Sequence, residues 1–226
     1  MKIIGMMINN EEHNDEIGNN HIATNTQNPI RTDAFEISDE EKITRIKKDV
    51  ESILLTLGMD LTDDSLKGTP NRVAKMFVKE IFGGLHPDKK PSASTFENKY
   101  KYGEMLVEKN IVVYSTCEHH LLPIYGRAHI AYISNGTVVG LSKMNRIVEY
   151  YAKRPQVQER LTTQIADAMV EILDPLGVIV IIDCEHLCMS MRGVKKSHAR
   201  TTTSAVRGAL NNPATRAEAI SLITKG

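Results

Sequence analysis

After Pro91 the apolar residues of this chain stop recurring every three or four positions and begin to recur every second one, and that change limits how the chain can fold. Upstream, Ser38-Asp39-Glu40-Glu41 is a capping box, and Ile43, Ile46, Val50, Ile53, Leu54 and Leu57 follow at helical spacing until Gly58. A second helix is predicted from Thr69 as N-cap, with Pro70 in its first turn, Val73, Met76, Phe77 and Ile81 turned inward, and an end at Gly83-Gly84. Downstream, Met105 to Tyr114, Ile124 to Ile133 and Thr137 to Leu141 read as strands, with Asn135-Gly136 as a hairpin turn between the last two. Helices are predicted over 142–153 and 156–173, separated by Arg154-Pro155, then a long strand from Val178 to Met191 and a short helix over 213–224. Sequential hairpins rather than βαβ alternation predict an α+β domain, a mainly antiparallel sheet with helices on one side.

At 226 residues the chain can bury one substantial core and needs no second domain. Lys and Arg total 28, as do Asp and Glu, so nothing favours a general nucleic-acid or membrane-surface role. Any polyanion must be met by a local basic pocket. The apolar run Gly177 to Ile182 stops at Asp183, far short of the ~20 residues of a membrane span. The N-terminus has no long apolar segment of secretory type, so a cytoplasmic protein is expected. Residues 8–35 are rich in Asn, Glu, Thr and Asp without a period, which predicts a flexible tail over 1–37 and a single domain over 38–226. Within it, 38–90 are helical and 91–226 carry the sheet.

Three cysteines make no disulfide framework, and their neighbours point to a metal. Cys117 and His120 form a C-x-x-H pair, and Cys184-Glu185-His186-Leu187-Cys188 lies far downstream. Three thiolate and imidazole ligands leave one coordination position open, as in hydrolytic zinc sites; a structural zinc site closes with four. On a continuous strand Cys184, His186, Cys188, Ser190 and Arg192 face one way, so alternation does not choose between Cys184 and Cys188. If both bind, the site is a closed Cys3His cage in a structural or interaction module. His119 diverges from its neighbour His120 and, like His186, is available for proton transfer. Glu118 reads equally as an acceptor behind a ligand and as a solvated carboxylate.

Ser142-Lys143-Met144-Asn145-Arg146 opens a helix directly after a strand, which gathers backbone N–H groups, a hydroxyl and two cations into an anion site. It lacks the glycine-rich loop of a P-loop. Arg192, Arg72, Lys195, Lys196 and Arg200 can add charge, and together these predict a phosphorylated substrate beside a metal. Glu159, taken alone, complements a helix N-terminus.

Thr116-Cys117-Glu118-His119-His120, Gly140-Leu141-Ser142-Lys143, the run from Arg154 to Leu161, and His186-x-Cys188 with Arg192-Gly193 together resemble the GTP cyclohydrolase I family. The likeness runs from about Ser38 to the Thr201–Ser204 stretch. It implies zinc-dependent hydrolysis of the imidazole ring of GTP, releasing C8 as formate and giving 7,8-dihydroneopterin triphosphate, the first step of tetrahydrofolate and pterin biosynthesis. It implies Cys117, His120 and Cys188 as zinc ligands and His119 and His186 as proton-transfer residues. Glu159 becomes the guanine reader with help from Gln158, and Ser142, Lys143, Arg146, Arg192 and Arg72 become the triphosphate holders, some from a neighbouring subunit. The implied fold is a T-fold, a four-stranded antiparallel sheet backed by helices, with subunits closing into a pentameric barrel and pairing as a decamer. A T-fold enzyme acting on another purine or pterin is the neighbouring alternative.

Overall fold

The computed structural model describes residues 25–92, 94–193, 195–196 and 198–225. Most of the expected tail, 1–24, lies outside the described residues. From Asn25 onward the chain is hydrogen-bonded to the domain: Arg160 Nε donates to Asn25 O at 2.8 Å and Asn28 Nδ2 donates to Pro155 O at 2.8 Å.

Helix α1 (Asp39–Thr56) starts at Ser38, whose hydroxyl accepts from Glu41 N–H, as the capping box requires; Gly58 follows at φ 81. Helix α2 (Thr69–Met76) is capped from Gly68 rather than Thr69, whose hydroxyl accepts from Arg72 instead. Its continuation over Phe77–Ile81 widens into a π-helical turn before Gly83.

The sheet is built from β2 (Met105–Cys117), β3 (Pro123–Ile133), β6 (Gly177–His186) and β7 (Thr201–Gly208), paired antiparallel in that order. The two-residue β5 (Pro155–Gln156) pairs parallel with the end of β2. A separate ladder joins β1 (Thr95–Glu97) to β4 (Thr137–Val139). The turn at Asn135-Gly136 therefore does not make a β3–β4 hairpin: the chain leaves the main sheet and β4 pairs with 95–97, Asn98 N–H donating to Gly136 O. Helices α3 (Leu141–Ala152) and α4 (Gln158–Leu173) cross between β4 and β6, and α6 (Pro213–Thr224) ends the domain.

Two expectations fail in the last third of the chain. The strand from Val178 does not reach Met191. It stops at His186, and Leu187–Ser190 form one helical turn, α5. The strand β7 carries no apolar alternation, so period gave no signal for it; its run of β-branched Thr201, Thr202 and Thr203 is the trace left in the sequence.

Alternation along the strands sorts the core. Ala128, Ile130 and Tyr132 on β3, with Val178, Val180, Ile182 and Cys184 on β6, face Ile147, Leu161, Ile165 and Met169 of α3 and α4. The intervening Ala131 and Ile179 face Ala219 and Ile223 of α6, so helices do not all lie on one side. α6 covers only the end of that face remote from Cys117. Nearer Cys117 the same face is open, with Tyr114 73% and Val112 45% exposed.

The register brings one end of every long strand together: Ile124 pairs with Ser115 on β2 and His186 on β6, Cys184 with Thr201 on β7, and Cys117 with Gln156 on β5. Gly126 pairs with Cys184, and a Cβ there would lie 2.0 Å from Asp183 O and 2.7 Å from the Cys184 sulfur. Gly126→Ala is therefore expected to lower stability by about 1–3 kcal/mol through overpacking, read as a reduced urea midpoint; an unchanged midpoint would contradict this packing.

Candidate metal centre

Strand β2 delivers Cys117 at its last position and the chain reverses at once. Cys117 N–H donates to Leu122 O and Leu121 N–H to Cys117 O, both at 2.8 Å, and Leu121 takes a left-handed φ of 53 to complete the turn. A branched aliphatic residue in that region is strained by about 1–2 kcal/mol, so the turn is held from outside. Part of that hold is Glu118, whose N–H donates to Gln156 O at 3.1 Å and whose carboxylate accepts from Arg160 Nη1 at 2.5 Å and Nη2 at 3.3 Å. Of the two readings of Glu118, the solvated one is thus removed. The Arg160 side chain is 3% exposed. Sequence alone assigns Arg160 no role: Gln158, Glu159, Thr162 and Thr163 around it are polar too, so no pattern sets it apart.

The helical turn α5 carries Cys188 back toward β2. The ligand atoms of Cys117, His120 and Cys188 lie within 4.8 Å of one another, and they are the group of three among the described residues able to hold a metal ion. Cys117 Sγ and His120 Nδ1 are 3.9 Å apart. In tetrahedral thiolate–imidazole sites, bonds of about 2.3 and 2.0–2.1 Å set neighbouring ligand atoms about 3.6–3.8 Å apart, so this donor set fits a metal with little movement. Burial, and the Cys117 thiol alongside, push the Cys188 thiol up to about 11, while the Arg192 charge acts in the opposite sense. A thiol whose surroundings hold it protonated is what a bound dication reverses, by drawing off the proton as it takes the sulfur as a ligand.

Cys184 is elsewhere. It is fully buried on the α4 side of β6, where burial pushes its thiol up to about 12. The expectation that Cys184 and Cys188 share a strand face falls with the end of β6 at His186, and with it the closed Cys3His cage.

His186 does face the site. Its Nε2 is 2.7 Å from Gln158 Oε1, and Gln158 Nε2 lies within hydrogen-bonding distance of Ile182 O (3.0 Å), Thr201 O (2.8 Å) and Thr203 Oγ1 (3.1 Å). Those acceptors fix the amide, so Gln158 Oε1 accepts and His186 Nε2 carries the hydrogen; Nδ1 is left for proton exchange. Burial holds the imidazole below its usual range and the Glu159 carboxylate draws it partly back. His119 has its Nδ1 3.9 Å from Cys117 Sγ and its Nε2 3.8 Å from Glu118. These groups line one cleft of about 620 Å³, with Glu159 exposed at its rim and Ile124, Val157 and Met189 as apolar wall.

The predicted anion residues divide. Arg192 is near enough to act on Cys188. Lys143 and Arg146 instead line a second cleft of about 290 Å³ with Lys79, Lys89 and Lys153. Ser142 is exposed at the start of α3, and Arg72 folds onto its own turn, donating to Ser65 O and Thr69 Oγ1. Arg200 is taken by Asp183, at 2.6 Å. One chain therefore gathers the metal group, His119, His186, Gln158 and Glu159, but not Ser142, Lys143, Arg146 or Arg72. Metal analysis after dialysis tests the ligand set: Cys184→Ala is expected to keep its metal, at about 1 kcal/mol lower stability, whereas Cys117→Ala and Cys188→Ala lose it. Loss of metal from Cys184→Ala would restore the four-ligand cage.

The model of the family described as GTP cyclohydrolase I matches residues 46–224. The GTP cyclohydrolase 1 of Flavobacterium johnsoniae is 67% identical over 217 residues, covering 96% of this chain and 97% of that protein. Those of Pelotomaculum thermopropionicum and Streptomyces griseus are 53% and 52% identical over 181 residues, covering 79% of this chain and 95% and 89% of theirs. With a family match over most of its length and the metal group in the cleft where the motifs converge, this chain belongs to the GTP cyclohydrolase I family.

Proposed function

We propose that this protein hydrolyses the imidazole ring of GTP, releasing C8 as formate and forming 7,8-dihydroneopterin triphosphate. The observation that carries the reading is the convergence, in one cleft, of Cys117, His120 and Cys188 with His186 and Glu159. The metal is zinc, matched by two thiols and an imidazole; when bound it supplies Lewis-acid activation of water or of a ring atom at neutral pH.

The residues of the chain supply the rest. Gln158 fixes the orientation of His186, so that Nδ1 is the atom that gives or takes a proton at the purine ring. His119, at the mouth of the metal loop, is the second proton carrier. Glu159, exposed at the cleft rim, accepts from the ring N–H and the exocyclic amine of guanine; adenine offers no such pair of donors. Arg192 meets the triphosphate from the metal side.

Ser142, Lys143, Arg146 and Arg72 complete the triphosphate site from a neighbouring subunit. Their distance from the metal group within one chain is what a site shared between subunits requires, and the open sheet face at Val112 and Tyr114 is consistent with burial in an assembly. In this reading residues 38–226 are one catalytic domain with a T-fold, closing into a barrel of five and pairing as a decamer. No described helix is long and apolar enough to cross a membrane.

Incubating zinc-loaded protein with GTP tests the activity: formate and a fluorescent pterin after oxidation are expected, and GTP left intact would reject it. Glu159→Ala is expected to lower kcat/KM for GTP about 100-fold or more, since two hydrogen bonds to a carboxylate are worth about 1.5–3 kcal/mol each. Turnover unchanged by that substitution would remove Glu159 as the guanine reader.

A further inference from the structure

Residues 25–28 fall in the segment whose composition reads as a tail, yet their polar groups end behind the metal loop. Asn28 uses its whole amide: Nδ2 donates to Pro155 O at 2.8 Å and reaches Gln156 Oε1 at 3.4 Å, and Oδ1 accepts from Arg154 Nη1 at 3.2 Å and Gln164 Nε2 at 3.3 Å. Gln164 Nε2 also reaches Thr26 O at 3.2 Å. Gln156 is fully buried, pairs with Cys117 across the parallel bridge, and its carbonyl holds Glu118 N–H. A second route runs from Asn25 O to Arg160 Nε at 2.8 Å and through the guanidinium to both oxygens of Glu118. Both routes end on Glu118, the residue next to the ligand Cys117.

We propose that residues 25–28 and Arg160 clamp the Cys117–His120 loop, Arg160 serving as a positioning residue that sets these two ligands against the Gln158–Glu159 end of α4. The inference rests on the metal site argued above. Arg160 is one residue past Glu159 on α4, so its bond to Glu118 ties the metal loop directly to the helix end that reads the substrate. The guanidinium fork is what the geometry requires: two nitrogens take the carboxylate while the third takes Asn25 O, a task the single ammonium of lysine does not reproduce. A buried ion pair contributes little net stability but fixes a relative position, and groups that hold metal ligands from behind govern affinity without touching the metal.

The test uses the full-length chain with Arg160→Lys, Asn28→Ala and, as a control, Asn212→Ala, which removes the side-chain cap of α6 far from the loop. Zinc affinity is measured by competition with a chromophoric chelator, folding by circular dichroism, and kcat and KM with GTP at saturating zinc. Arg160→Lys and Asn28→Ala are expected to weaken zinc binding about 10–100-fold and to lower kcat with KM little changed, while Asn212→Ala lowers Tm and leaves zinc affinity as it was. The proposal is overturned if both loop variants bind zinc as tightly as the unaltered chain, or if Asn212→Ala weakens binding equally. Should Arg160→Lys fail to fold, Asn28→Ala alone decides by the same affinity ratio. A chain that releases no formate, yet shows the affinity loss in these variants, would reject the GTP reaction and keep the clamp.

Discussion

Ile124 stands opposite Ser115 on one neighbouring strand and His186 on the other, and from that single register the position of nearly every group at the candidate site follows. Antiparallel pairing with a two-residue period leaves no intermediate register: a slip of one residue on β6 would turn His186 away from the cleft and bring Cys184 out of the core. The slip is resisted from both faces. Val178, Val180 and Ile182 are buried under α3 and α4, Ile179 is buried under α6, and Gly126 leaves no room opposite Cys184 for any side chain. The apolar core, which has no chemistry of its own, is therefore what aims the imidazole.

The sheet ends are joined by polar groups with almost no exposure. Gln156, Gln158, Arg160 and Gln164 are all buried, and among the described residues each has its side chain hydrogen-bonded, Gln158 to β6, β7 and His186 and Arg160 to the metal loop. Buried amides left without partners would be costly, so such a network tolerates few alternative arrangements. It ties helix α4, strands β6 and β7 and the ligand loop into one unit. Arg154 shows the other way to hold a buried cation: its guanidinium stacks on Tyr150 and Tyr151 at 4.4 and 4.6 Å, and burial lowers its pKa.

What could be read in the sequence depended on whether a feature was local. The capping box at Ser38, Pro70 in the first turn of α2 and the alternation of β3 are decided by neighbours in the chain, and the structure shows them where the residues place them. β7 was not legible because Thr201 to Ser204 put polar side chains on both faces and only Ala205 and Val206 are apolar; it is a strand because β6 offers it an edge. The partner of β4 was not legible because pairing with 95–97 rather than β3 is settled by how the chain leaves the sheet. At the site, the residue types and the C-x-x-H spacing were enough to point to a metal. The choice between Cys184 and Cys188 was not open to pattern reading, which assumed that the strand continued. The Glu118–Arg160 pair was equally hidden, since nothing in either residue's neighbours says that they meet.

The break in β6 at His186 is what lets two residues so close in sequence do different work. On a continuing strand, Cys188 would project parallel to His186 about 6.6–6.8 Å further along, two residues at 3.3–3.4 Å each. Its sulfur would then move away from β2 and from Cys117. Turning the chain into α5 immediately after His186 replaces that advance by the shorter rise of a helix, about 1.5 Å per residue, and rotates Cys188 toward Cys117. His186 keeps its strand geometry and its bond to Gln158, and so remains beside the metal group without joining it. A strand alone offers one direction for alternate residues; a strand that ends in a helical turn offers two, and a metal ligand and a proton carrier need both.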